Sequence, residues 1–323
     1  MTVLRLTAAR VGGALIFILA GTVSARLFAD APLPPAIGVR GLERAVLPAA
    51  YPAVVLGLVA RRPVLVVAAG VFAALHLASR ARLLGRRELR PVSPESLRLR
   101  VVTANLLCTN PHIRRLADEL VAEDADVVAV QEVTPAIAAA LEQSALWSAY
   151  PHRRVAPAED FHGAATFSRF PVHAHEVLDV AGSPMLRTDV ATPHGPLGIV
   201  NVHTVAPLTV GQARRWRRQL TVLSRLVEAE TGPLLLVGDF NATGDHRPFR
   251  LLVRGRLRDA FDAVGRGSGA TWPVGHRVLP RLLRLDHVLV TPDVEIEELR
   301  DAESTGSDHA RLTADLGIRK PAS

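Results

Sequence analysis

Residues 234–242 read LLLVGDFNA. The apolar run 234–237 is short and stops at a glycine, the pattern of a strand buried on both faces rather than of a surface helix. A carboxylate, Asp239, and a carboxamide, Asn241, stand just past its end. In α/β architectures the carboxyl ends of strands open into the crevice where ligands bind, so polar groups placed there are candidates for chemistry.

The same layout recurs on both sides. Residues 97–104 (LRLRVVTA) alternate and then run apolar, and Asn105 follows. Residues 126–130 (DVVAV) form a buried strand, with Glu132 beyond it in VVAVQE. Between them Asn110 and Pro111 offer a cap and a first-turn proline, and Ile113, Leu116, Ala117 and Leu120 make one apolar face at helical spacing. A strand–helix–strand unit of this kind predicts two parallel strands. His203 follows GIVNV, Asp286 and His287 open LDHVLV, and Ser307, Asp308 and His309 precede a strand at 311–316. Further strands are expected at 164–168, 172–178, 198–202 and 285–290, and a helix at 211–229. Many strands with few helices predict an α/β (α+β) fold, a four-layer sandwich of two packed mixed β-sheets flanked by helices, rather than one doubly wound sheet.

Convergence of these strand ends would gather Glu132, Asp239, Asp286 and Asp308 with His203, His309, Asn105 and Asn241. Carboxylates at close quarters need a compensating cation, and hard oxygen donors favour Mg²⁺, with Mn²⁺ the alternative, over zinc. The set suits hydrolysis of a phosphate ester: a divalent ion polarises a phosphoryl oxygen, a histidine held by an aspartate moves a proton, and an asparagine donates to developing charge.

Composition sets bounds. The chain has 323 residues, 49% of them hydrophobic but only 4% aromatic, which excludes disordered and collagen-like classes. The single cysteine, Cys108, rules out an intrachain disulfide framework and a cysteine-based zinc site. The net charge of +7 is uneven: residues 1–92 carry 12 arginines and 3 acids, +9, while residues 93–323 sum to −2. The basicity therefore belongs to the apolar N-terminal third, and the remainder lacks the basic surplus of nonspecific DNA binding.

That third holds three uncharged runs, 11–25, 45–60 and 63–79, flanked by Arg10 and Arg26, Arg44 and Arg61, and Arg62 and Arg80. Each is shorter than the roughly 20 residues of a full span, but terminal arginines can snorkel, and the first can extend to residue 29. Arg61–Arg62–Pro63 reads as the break of a membrane hairpin. The runs lack the polar stripe of buried soluble helices. Residues 23–25, VSA, also fit a signal-peptide cleavage pattern. The expected organisation is a membrane segment of about three transmembrane helices at 1–84, a linker at 85–96, a catalytic domain at 97–318 and a tail at 319–323. Arginine counts, with Arg80, Arg82, Arg86, Arg87 and Arg90 together, favour a cytoplasmic domain; the first span and the Arg61–Arg62 hairpin favour an outward-facing one. The expectation adopted is a multi-pass plasma-membrane protein with its catalytic domain outside.

Taken together, TAN at Asn105, QE at Glu132, VNVHT at His203, GDFNA with Asp239 and Asn241, LDHVLV at Asp286 and GSDH with Asp308 and His309 resemble the endonuclease/exonuclease/phosphatase superfamily, of deoxyribonuclease I-like fold. FSRFP at 167–171 and TWP at 271–273 fit the same pattern, and the three-run layout resembles membrane-anchored actinobacterial members. The resemblance implies Glu132 as principal metal ligand, Asn105 beside it and Asp308 completing the site. It implies His309, held by Asp286, for the attack or departure step, Asp239 as base or water-positioning group, and Asn241 and His203 on the scissile phosphate. The expected function is a metal-dependent phosphodiesterase or phosphatase acting on nucleic acid, a phospholipid or a small phosphate ester, with the bilayer as partner; the alternative is a noncatalytic protein that binds a phosphorylated ligand.

Other polar residues receive plainer readings. Arg214, Arg215, Arg217 and Arg218 around Trp216 are expected on a solvated helix face, with one arginine able to reach substrate. Trp272 reads as pocket wall or core, and Arg187 as an exposed strand residue. His287 points to the opposite strand face from Asp286 and is expected to pack. His152, His162, His173, His175, His194, His246 and His276 are expected on surface or loops, and Cys108 as a buried small residue.

Overall fold

The computed structural model describes residues 2–28, 30–84, 92–264 and 269–320, with the side chains of 80–84 set aside. Ala29, residues 85–91 of the expected linker with Arg86, Arg87 and Arg90, and residues 321–323 of the tail lie outside the described residues. The chain divides into two compact units: Met1–Arg87 with Gly244–Arg247, and Glu88–Thr243 with Pro248–Ser323.

The first unit is helical. One helix, Thr2–Phe28, is long and apolar enough to cross a bilayer by length and composition, as a signal sequence also would be. The second expected run lies in a pair, Pro34–Gly41 and Glu43–Val59, bent by 49°, and the third, Pro63–Ser79, falls short of the length. The bend has a physical reason: Arg40 and Glu43 are buried there as an ion pair. The break at 61–63 is a helical hairpin, Ala50–Val59 to Pro63–Leu84, with Arg61 in the left-handed region. Close approach occurs at Gly57, where an added Cβ would meet the Val66 backbone nitrogen at 3.0 Å. Large apolar side chains of this unit point outward, among them Phe17, Val64 and Val67.

The second unit carries twelve strands: β1 Leu97–Asn105, β2 Val127–Gln131, β3 His152–Ala156, β4 Ala164–Ser168, β5 Val172–Asp179, β6 Pro184–Thr192, β7 Gly195–His203, β8 Leu234–Asp239, β9 Arg258–Asp259, β10 Asp286–Val290, β11 Val294–Glu303 and β12 Ala310–Ile318. They form two six-stranded sheets, β11-β12-β1-β2-β4-β3 and β5-β6-β7-β8-β10-β9. Each has one parallel pair, β1 with β2 and β7 with β8; the other pairings are antiparallel. The mixed two-sheet expectation and the parallel strand–helix–strand unit are thus found.

Period-two alternation explains the packing. Leu99, Val101, Val127 and Ala129 meet Ile199, Leu235, Val237 and Val288 between the sheets. Val102, Ala104, Val128 and Val130 point the other way, against Ile113, Leu116, Ala117 and Leu120 of the helix Ile113–Ala122. That helix starts later than the Asn110–Pro111 pair predicts, with His112 at its cap position. Asn110 instead accepts from the His112 N–H at 2.8 Å and donates to the carbonyls of Leu106 and Thr305, closing a turn. Strands β3, β6, β9 and β11 were not anticipated, because none shows a continuous buried apolar run: β3 is half-buried throughout, β9 has only two residues, β11 is mostly polar, and β6, internal to its sheet, mixes buried positions with the polar residues Arg187, Thr188 and Asp189.

Beneath the strand ends, a polar bridge joins the sheets. Gln131 donates to Asn201 Oδ1 at 2.6 Å and to Thr103 Oγ1 at 3.0 Å, and Asn201 donates to the carbonyls of Val130 and Ala165. Gly238, at φ 134°, lies against this bridge, where a Cβ would fall 2.1 Å from the Val202 carbonyl oxygen.

Candidate active site

Topology brings the polar residues to one edge of each sheet. Parallel strands end together, so β1 with β2 and β7 with β8 deliver Asn105 beside Gln131 and His203 beside Asp239 in register. Antiparallel neighbours begin at the same edge: Asp286 opens β10 opposite Asp239, and His309 directly precedes β12, which pairs with β1. The sheets pack face to face, so the two edges adjoin.

His309 Nδ1 lies 2.8 Å from Asp286 Oδ2, and its Nε2 lies 3.7 Å from Asp239 Oδ2. Burial works against a charged imidazole here, but Asp286 and Asp239 outweigh it, and His309 is pushed up to about 10. The hydrogen bond to Asp286 fixes the ring so that Nε2 faces the site. Burial pushes the Asp239 carboxyl above its usual range; His309 pulls it down and Asp286 pushes it further up. Asp239, Asp286 and His309 offer ligand atoms within 4.8 Å of one another, so the residues expected to move protons are also close enough to share a cation.

Glu132 sits in the left-handed region at φ 63°, a strained setting for a residue with a Cβ and one that occurs at functional sites. Its Oε2 accepts from the Cys108 N–H at 2.8 Å and its Oε1 from Asn105 Nδ2 at 2.9 Å. Asn105 also approaches Asp239 Oδ2 at 3.3 Å, while its own oxygen accepts from the Leu107 N–H at 3.0 Å. The carboxamide therefore turns its nitrogen toward the carboxylates and would ligate a cation only after rotating. His203 Nδ1 is bound to the Phe161 carbonyl at 2.8 Å, leaving Nε2 toward Asp239 at 3.6 Å and Glu132 at 3.9 Å. Asn241, at φ 44°, donates to the Thr204 carbonyl at 2.8 Å. Asp308 Oδ2 accepts from the Trp272 indole at 3.0 Å.

The structure sorts the other candidates. Arg214 and Arg218 are exposed, Arg215 is spent on the carbonyls of Ala181 and Gly182, and Trp216 is buried with its N–H on the Phe240 carbonyl at 3.1 Å. Arg187 is not an open surface residue: it pairs with Asp189 at 2.9 Å and Glu230 at 2.8 Å. His287 is buried as expected, between Asp259 and the Ala242 carbonyl. His246 departs from the surface reading, being buried with Nε2 on the Ile37 carbonyl at 2.9 Å. Cys108 is half-buried rather than buried, and desolvation with Glu132 nearby raises its thiol pKa. Sequence reasoning missed the Phe161 and Thr204 carbonyls and the Cys108 N–H, since backbone groups carry no residue signal.

The model of the Endonuclease/Exonuclease/phosphatase family matches residues 102–309. No curated protein matches the chain. Among solved structures, an endonuclease/exonuclease/phosphatase from Beutenbergia cavernae is 23% identical, with a TM-score of 0.56 over 70% of this chain and 73% of that one. D. rerio TDP2 complexed with a single-strand DNA product is 15% identical, TM-score 0.57, over 68% and 98%. The 3′ phosphatase NExo from Neisseria, bound to a product DNA hairpin, is 19% identical, TM-score 0.55, over 67% and 98%. At these identities the neighbours show a shared fold, and the family match, covering more than half of the chain, shows that it belongs to the endonuclease/exonuclease/phosphatase family.

Proposed function

We propose that the chain is a membrane-anchored, divalent-metal-dependent phosphoesterase that cleaves a phosphodiester or phosphomonoester by attack of water. The observation that carries this reading is the Asp286–His309 hydrogen bond set against Asp239 at the edge where Asn105, Glu132, His203 and Asn241 also end. The donor set fits a hard cation: the buried carboxylates of Asp239 and Asp286 face each other in register, Glu132 is close by, and His309 is the cation held against them. Glu132, with Asn105 and Asp308, would hold Mg²⁺ or Mn²⁺. Bound there, the ion supplies Lewis acidity toward a phosphoryl oxygen.

The side chains do the rest. Asp239 accepts a proton from water as its oxygen bonds to phosphorus. The ester P–O bond breaks, and the leaving oxygen takes the proton carried by His309 Nε2. Asn241 keeps one amide hydrogen on the Thr204 carbonyl and shifts the other, 3.4 Å from Asp239 Oδ2 in the free site, to the phosphate, and His203, fixed by the Phe161 carbonyl, points Nε2 at the same place. The outward-facing apolar side chains of the N-terminal unit suit lipid contact better than water. The multi-pass, outward-facing topology stands as part of this proposal.

Two substrate classes compete. The TDP2 and NExo neighbours hold DNA products, which favours nucleic acid; the membrane anchor favours a phospholipid head group. The test is the full chain in detergent with Mg²⁺, with EDTA and as His309→Ala, on plasmid DNA, a choline phospholipid and bis-p-nitrophenyl phosphate. Cleavage that needs both metal and His309 supports the reading, and the preferred substrate chooses between the classes. A folded chain that cleaves none of them counts against it and for the binding alternative.

A further inference from the structure

Two of the segments that carry site residues meet beyond the reach of the sheet. The ladder between β1 and β12 ends at Thr103 paired with Leu312, two residues short of Asn105 and three past His309. Beyond that point side chains join the Asn105 segment to the Asp308–His309 segment. Ser307 Oγ donates to the Asn105 carbonyl at 2.7 Å. Asn110, 6% exposed, places the two hydrogens of its carboxamide on different segments, one on the Leu106 carbonyl and one on the Thr305 carbonyl, each at 3.0 Å. Its oxygen accepts from the His112 N–H at 2.8 Å. A buried polar group with its donors and acceptor all engaged rigidifies what it joins.

Thr305 is gripped from a second side. Glu119, on the helix Ile113–Ala122, accepts from the Thr305 N–H at 3.2 Å and from the Thr305 hydroxyl. Gly306 follows at φ 79° and lies against the Asn110 carboxamide, where a Cβ would fall 2.0 Å from Oδ1. Ser307, Asp308 and His309 come next. Their other holds run to a different part of the unit. The Asp308 carbonyl accepts from the Val274 N–H and the Ala310 N–H donates to the Thr271 carbonyl, both at 2.8 Å, Asp308 Oδ2 accepts from Trp272, and His309 bonds Asp286. Those contacts tie Asp308 and His309 to residues 271–274 and to Asp286, whereas Asn110 ties them to the segment of Asn105.

We propose that Asn110 and Glu119 are positioning residues for the cation site: by fixing Thr305 they set how Asp308 and His309 stand toward Asn105 and Glu132. This rests on the phosphoesterase reading, with Glu132, Asn105 and Asp308 as the holders of the ion. Neither Asn110 nor Glu119 touches ion or substrate in this account; they act through the backbone of Thr305. Loss of groups that orient a metal's ligands typically lowers metal affinity or activity by about 10- to 100-fold.

The test uses the full chain in detergent and the variants Asn110→Asp, Glu119→Ala and Glu119→Gln, with His309→Ala as catalytic control. Tyr150→Phe is the stability control, since it deletes a buried bond from the Tyr150 hydroxyl to the Ala125 carbonyl, ahead of the start of β2 and away from Glu132. Mg²⁺ binding is titrated by calorimetry without substrate, and kcat on bis-p-nitrophenyl phosphate is taken at saturating Mg²⁺. Urea melts are followed by the fluorescence of Trp147, Trp216 and Trp272, all in the second unit. Asn110→Asp keeps the acceptor for His112 but turns an oxygen on two carbonyls, and Glu119→Ala releases Thr305. Both are expected to bind Mg²⁺ about ten- to hundredfold more weakly than the parent and to lose about tenfold in kcat. Glu119→Gln, whose amide can bond both Thr305 groups, and Tyr150→Phe should keep the parent's Mg²⁺ affinity and kcat. Parent-like affinity and kcat in either Asn110→Asp or Glu119→Ala would overturn the proposal. So would an equal fall in Tyr150→Phe, which would make the effect one of stability alone. If Asn110→Asp does not fold, Glu119→Ala, at a side chain 26% exposed, decides by the same readouts. A parent chain without Mg²⁺- and His309-dependent turnover would instead refute the phosphoesterase reading.

Discussion

Asp259→Asn should destabilise the catalytic unit by about 3 kcal/mol. Asp259 is buried at the edge strand β9, where Oδ1 accepts from Arg284 Nη1 at 3.1 Å and from the Phe261 N–H at 2.9 Å, and Oδ2 meets His287 Nδ1 at 2.9 Å. Removing one partner of a buried pair costs about 3–5 kcal/mol, because the other charge is left uncompensated. Arg284 keeps Asp262 at 3.2 Å, which places the loss at the lower end. For a unit of this size that is about 6–12 °C in melting temperature. The sign with pH is specific. Burial pushes the Asp259 carboxyl up, but Arg284 and His287 outweigh it and hold it below the usual range. A depressed carboxyl contributes stability above its unfolded pKa of about 3.9 and loses it as pH falls through the folded value. The gap between parent and variant should therefore be full at pH 7 and narrow below about pH 4. Tryptophan-detected urea melts at pH 7 and at pH 3 measure both. A gap under about 1 kcal/mol at pH 7, or one undiminished in acid, would show that the pairing does not carry the stability assigned to it.

Glu132→Gln should lower turnover about a hundredfold or more while leaving the tryptophan melt in place, and a variant as active as the parent would remove Glu132 from the site. Trp272→Phe deletes the N–H on Asp308, and should weaken the Mg²⁺ dependence of the rate about tenfold without changing the metal-saturated rate greatly; an unchanged Mg²⁺ titration would contradict a supporting role. Gly238→Ala forces a Cβ against the Val202 carbonyl at a φ that side chains avoid. It should cost about 4 kcal/mol or more and show as lost soluble catalytic unit. In membrane fractions the full chain should resist carbonate extraction, and release into the supernatant would argue against an integral anchor.

The two-sheet fold was legible because the central strands are buried on both faces. DVVAV splits its residues between the intersheet core and the helix-facing layer, and LLLV sends Leu235 and Val237 into the intersheet core with Leu234 and Leu236 buried as well, so the runs had to be continuous. The edge strands β3 and β11 were not legible, since their composition is free to be polar, and neither were the two-residue β9 and the internal β6, whose PMLRTDVAT puts polar residues among its buried positions. The N-terminal unit was legible as apolar but not in its division into helices. Arg40 and Glu43 look in sequence like flanking charges, and only their pairing with each other, and of Arg44 with Asp245, shows why the chain bends there.

The candidate site motifs were readable for a reason beyond residue type. Asn105 accepts from the N–H of Leu107, Asp239 from that of Asn241, and Ser307 from that of His309, each two residues on. This side-chain-to-backbone turn is what asparagine, aspartate and serine form when a regular element stops. Leu107 and Asn241 accordingly take left-handed conformations, at φ 61° and 44°. The polar residue at each of these three positions thus serves twice, turning the chain and leaving its remaining atoms for the site. Asn105 gives its nitrogen to Glu132, Asp239 keeps Oδ2 toward His309, and Ser307 holds the Asn105 carbonyl. A substitution at Asn105 or Asp239 would therefore alter the chemistry and the local backbone together. That coupling is why the Asp239-to-Asn241 spacing is informative in GDFN, and why isosteric changes such as Asp239→Asn, which keep the turn-forming oxygen, separate the two roles better than alanine does.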